Sequence, residues 1–71
     1  MNYNFLYKKL ANRIENLRKE KGLTQEELVE RSGLHRVYFW DIENGRNISI
    51  TTAYKIATAL KVQLKELFSI D

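Results

Sequence analysis

Apolar residues recur near the start of the chain at Leu6, Leu10, Ile14 and Leu17, at spacings of four, four and three. Residues three and four apart share one face of a helix, so this spacing predicts an amphipathic helix. Gly22 follows the stripe and suits the left-handed position that ends a helix. In "TQEE", Thr24 is placed to cap a second helix while Glu27, three residues on, reaches back to complete a capping box. That helix is expected over roughly Gln25 to Ser32, with Gly33 closing it. A third is expected to begin near His35 and to end near Gly45. Ser49 then caps a fourth, which carries Ala53, Ile56, Ala57 and Leu60 on one face. After a break near Lys61–Val62, the residues Leu64, Leu67, Phe68 and Ile70 define a short last helix. Met1 to Asn4 are expected to form a loose arm.

The pattern predicts an all-α chain, a compact five-helix bundle without strands. Composition agrees, because there is no proline and only three glycines to punctuate a strand meander. Seventy-one residues make a single domain near the lower limit for folding without metals or disulfides. The absence of cysteine excludes a disulfide framework, a thiolate nucleophile and a cysteine zinc site. His35 is the sole histidine and has no second ligand of its kind, so neither a metal nor another cofactor is expected. No Ser–His–Asp grouping, glycine-rich phosphate loop or paired-carboxylate motif is present, and an enzyme is the least favoured reading. No apolar run has the length of a membrane span, which predicts a soluble, cytoplasmic protein with no membrane partner. Twelve Lys and Arg against nine Asp and Glu give a net charge of +3, a mild pointer to an anionic partner. Six of those cations, Lys8, Lys9, Arg13, Arg18, Lys19 and Lys21, lie on the first helix and its end.

More specific is the pair of short helices from Gln25 to Asn44, joined at Gly33. Leu28, Leu34, Phe39 and Ile42 are spaced to pin one helix across the other, and the glycine permits the sharp turn. Such a helix-turn-helix leaves the outer face of its second helix free for a DNA major groove. The run "GLTQEELVERSGLHRVYFWDIENGRNIS", continued by "KIATALKV" and "LKELF", resembles the lambda-repressor-like (Cro/XRE-type) helix-turn-helix proteins. Within them, "LHRVY" and "RNIS" look most like the controller proteins of restriction–modification systems. The likeness covers nearly all of residues 8–68. It departs from the pattern at Val29, where the family usually has alanine, and after Gly45, where controller-type sequences often carry one more residue before the equivalent of Arg46-Asn47.

The resemblance implies sequence-specific binding of a double-stranded DNA operator, transcriptional regulation and a homodimer, with no small-molecule effector. It places Arg36, Val37, Trp40 and Asp41 at groove-facing positions, reading bases. Gln25, at the start of the second helix, would meet a phosphate together with backbone N–H groups there. Arg46 and Asn47 would contact the DNA backbone, and His35 and Tyr38 would border the interface. Arg18 and Glu43 match an internal ion pair that ties the first helix to the end of the recognition helix. The dimer contact falls on the last helix, at Leu64, Leu67, Phe68 and Ile70, where the first three also serve the core. An antitoxin, a phage-type repressor and a helical protein-interaction module without DNA binding are the rival readings.

The three adjacent rings in "HRVYFWD" divide on the helical wheel. Phe39 and Ile42 point to the core, Tyr38 borders both faces, and Trp40 shares the outer face with Arg36 four residues before it. The arginine and the indole are therefore placed to stack.

Overall fold

The structure, a computed structural model, describes residues 3–70. Among the described residues there are five helices and no strand: α1 (Asn4–Glu20), α2 (Gln25–Ser32), α3 (Arg36–Glu43), α4 (Ile50–Leu60) and α5 (Leu64–Leu67). Asn4 opens α1 and so does not belong to an arm, while Met1 and Asn2 lie outside the described residues.

Local chemistry sets these boundaries. Thr24 Oγ1 accepts from the Glu27 backbone N–H at 3.1 Å, and the Glu27 carboxylate accepts from the Thr24 N–H at 2.9 Å, the reciprocal capping box expected at the start of α2. Ser49 caps α4 by accepting from the Thr52 N–H at 3.0 Å. Gly33 ends α2 at φ +70°, and its N–H reaches the Val29 carbonyl, so the chain turns sharply enough to lay α3 across α2. The break after α4 uses Lys61 instead of a glycine, at φ +59°.

The core is assembled around Ile14, Leu28, Phe39, Ile42, Ile56, Leu60 and Leu67, all fully enclosed. α2 packs on α4, α1 on α3, and α5 closes the end against α4 and α1. This arrangement buries the inner faces of both short helices and leaves their outer faces to solvent. Two expectations about the core need correction, and one buried residue lies outside them. Leu6, first of the predicted stripe, is exposed because α5 is too short to cover the start of α1. Leu23 is buried although it lies in a turn, outside any helical period. Phe68 and Ile70 follow α5 and are not part of it, and Phe68 is 40% exposed.

Candidate nucleic-acid interface

The outer surface of α3 begins at His35, whose Nδ1 accepts from the Val37 backbone N–H at 3.2 Å and so caps the helix. Arg36 and Val37 come next and point outward, Val37 with 63% of its surface exposed. Arg36 Nη2 donates to the Glu26 carboxylate of α2, and its guanidinium carbon lies 5.9 Å from the centre of the Trp40 ring. The stack predicted from the i, i+4 spacing is thus present, with Glu26 as an additional partner that the spacing alone does not reveal.

Trp40 is half-buried, in contrast to the fully outward ring the wheel implied. Its other contact is edge-on to Phe39, with ring centres 5.9 Å apart and planes at 66°. The indole is large enough to reach both the core ring beside it and the surface arginine. Tyr38, at the border of the face, donates its hydroxyl to Thr52 Oγ1 at 3.4 Å, which ties α3 to the first turn of α4. The outer side of its ring carries the Arg46 guanidinium, 5.0 Å from the ring centre.

Asp41 is paired, its carboxylate 3.0 Å from Arg46 Nη1, and the Arg46 backbone N–H donates to the Asp41 carbonyl at 3.0 Å. The loop after α3 is therefore folded back onto the helix, holding Arg46 at the edge of the same surface with Asn47 exposed beside it. An acid among the groove-facing positions is in this way neutralised by the cation expected to meet the DNA backbone.

The expected ion pair between Arg18 and Glu43 is not formed directly. Arg18 Nη1 donates instead to the Leu23 carbonyl at 2.7 Å, and Glu43 accepts from Gln25 Nε2 at 2.7 Å. The turn that buries Leu23 brings its carbonyl to the guanidinium, while Gln25 sits across from the end of α3. Arg18 Nε is left buried without a hydrogen-bond partner. Burial raises the pKa of Glu43, and the Arg18 charge pulls the other way without overcoming it. In the free chain the half-buried Gln25 amide, expected at a phosphate, is engaged by Glu43. At the start of α2 the capping box also takes the N–H groups of Thr24 and Glu27, and Glu26 and Glu27 set two carboxylates in the first turn. The cap hydrogen bonds from Thr24 lower the pKa of Glu27.

Leu67, one of the expected dimer residues, is fully enclosed in the single chain and offers no surface to a partner. Leu64 and Ile70 are half-buried. Phe68 and Ile70 line a cleft of about 360 Å³ with Tyr3, Leu6, Tyr7 and Leu10, on the side where α1 and α5 meet. Sequence reasoning missed this cleft because the stripe containing Leu6 reads as core. Among the described residues no cluster of His, Cys, Asp and Glu could hold a metal ion, and no helix is long and apolar enough to cross a membrane.

Two short helices crossing at a left-handed glycine, the second with an exposed polar and aromatic face, define a helix-turn-helix domain. The model of the helix-turn-helix family matches residues 14–67, and the chain belongs to that family, in its Cro/XRE-type branch of transcriptional regulators. It is 43% identical over 63 residues to the control protein C.MunI of a Mycoplasma species, covering 86% of this chain and 85% of that protein. Among solved structures it is similar to the restriction–modification controller C.AhdI of Aeromonas hydrophila, with TM-score 0.82 and 44% identity over 87% of this chain and 96% of that one. It is also similar to C.Esp1396I bound to a 19 base pair DNA duplex, with TM-score 0.82 and 40% identity over 90% of this chain and 87% of that one.

Proposed function

We propose that the chain is a sequence-specific regulator of transcription that binds duplex DNA as a symmetric pair, in the manner of a restriction–modification controller. It acts in the cytoplasm by binding alone, without catalysis and without a small-molecule effector. The observation that carries this reading is the outer face of α3, where Arg36 and Val37 stand exposed on a helix whose other face is locked into the core. Arg36 is suited to the O6 and N7 acceptors of guanine, and Val37 to a thymine methyl. Asp41 accepts from cytosine N4 when Arg46 exchanges its carboxylate for a phosphate. Arg46 and Asn47 lie beside this face and meet the phosphates.

The similarity to controller proteins, one of them solved on a DNA duplex, supports the same reading. One recognition helix covers only a few base pairs, so specificity calls for two copies on half-sites about 34 Å apart. Binding to duplexes recovered from a random pool tests it, measured at several salt concentrations. The logarithm of the affinity is expected to fall with the logarithm of salt at a slope of about −0.9 per phosphate neutralised. Failure to bind any duplex at low salt would favour a protein-interaction module. Co-purification of a stable protein partner without operator binding would favour an antitoxin.

A further inference from the structure

An exposed arginine on a recognition helix ordinarily samples many rotamers, and fixing one of them on DNA costs affinity. Arg36 has two partners in the free chain. Its Nη2 donates to the Glu26 carboxylate of the neighbouring helix, and its guanidinium carbon lies 5.9 Å from the centre of the Trp40 ring. Trp40 is itself fixed, half-buried, with its ring edge-packed to the enclosed Phe39. A guanidinium has five N–H donors in a rigid fork, so holding Nη2 from one side leaves donors for an acceptor on the other. The carboxylate comes from α2 and the ring from α3, so the two restraints are independent and set the arginine relative to the crossing of the two helices.

We propose that Glu26 is a positioning residue for base readout: it holds Arg36 on the Trp40 platform in the orientation in which its free donors meet a base edge. This rests on the DNA-binding reading above and assigns a role to an acid that electrostatics alone would count as unfavourable near phosphates. The two views differ in sign. An acid that merely repels DNA strengthens binding to every duplex when it is neutralised. A buttress weakens the specific complex when it is removed, because Arg36 must then be ordered on DNA.

The test compares wild type, Glu26→Gln, Arg36→Ala and the double variant on the selected operator. The same proteins are measured on that operator with the Arg36-read base pair exchanged and on an unrelated duplex. Glu30→Gln, a neutralised acid also exposed on α2, controls for charge alone. Expected is a loss of about two- to ten-fold on the operator for Glu26→Gln, the ordering cost of one long side chain. Binding to the unrelated duplex should be unchanged or stronger, and discrimination at the exchanged base pair reduced. In the Arg36→Ala background the same change should no longer alter that discrimination, and melting temperatures should stay close to wild type. If Glu26→Gln strengthens operator and unrelated duplex alike, as Glu30→Gln does, Glu26 is only a repelling charge and the inference fails. If wild type itself prefers no duplex, the DNA-binding reading fails with it.

Discussion

Glu43 ends α3 facing Gln25 of α2. Its carboxylate accepts from Gln25 and feels Arg18 only through space, and burial raises its pKa. A carboxyl whose folded-state pKa is raised contributes stability that is fully present below its unfolded value and is lost as pH rises through the folded one. Wild type should therefore lose melting temperature relative to Glu43→Gln from about pH 4 upward, across the titration of this one group. The glutamine oxygen still accepts from Gln25, so the comparison isolates the charge. Glu43→Ala, in contrast, leaves the Gln25 amide without that acceptor and the Arg18 guanidinium without its nearby counter-charge. It should destabilise the domain by about 1–3 kcal/mol with operator preference unchanged. Unchanged melting with altered preference would contradict this assignment. In the sequence the partnership of Glu43 with Gln25 was not legible, since eighteen residues separate them and only the tertiary fold brings them together. The stacking of Arg36 on Trp40 was legible, because it follows from spacing within one helix.

At the scale of elements, the caps carried the most information. Thr24, Glu27, Gly33 and Ser49 act through hydrogen bonds and dihedral angles fixed by their immediate neighbours, so the limits of α2 and the start of α4 could be read directly. The end of α4 was legible only as a loss of periodicity, since a lysine occupies the left-handed position. A side chain there is strained where glycine is not, and Lys61→Gly should stabilise the domain by about 1 kcal/mol, measured by chemical denaturation. Destabilisation would mean that the Lys61 side chain makes contacts outweighing the strain. Leu6 was misjudged and Leu23 passed over for a common reason. Helical period tells which face an apolar residue occupies, but whether anything covers that face depends on the length and placement of other elements.

For the whole molecule, the question is how one small recognition surface becomes specific. The described chain measures 34 × 24 × 20 Å, so two copies side by side can present equivalent helices one DNA turn apart. The apolar cleft shared by α1 and the residues after α5 is the face we assign to the second copy, with Phe68 and Ile70 as its centre and Leu67 behind it in the core. Phe68→Asp should yield a folded monomer by sedimentation and should weaken operator binding far more than binding to a half-site. A variant that remained dimeric would place the contact elsewhere.

The central claim is that the outer face of α3 reads bases, and duplex selection followed by comparison of wild type with Arg36→Ala tests it most directly. Selection is expected to recover an inverted repeat with half-site centres about 34 Å apart. On that operator Arg36→Ala should cost about 1–3 kcal/mol per contact, with discrimination relaxed at one base pair of each half-site and kept at the others. A uniform loss over all sequences would make Arg36 a phosphate contact, and a pool that yields no preferred sequence would contradict the account as a whole.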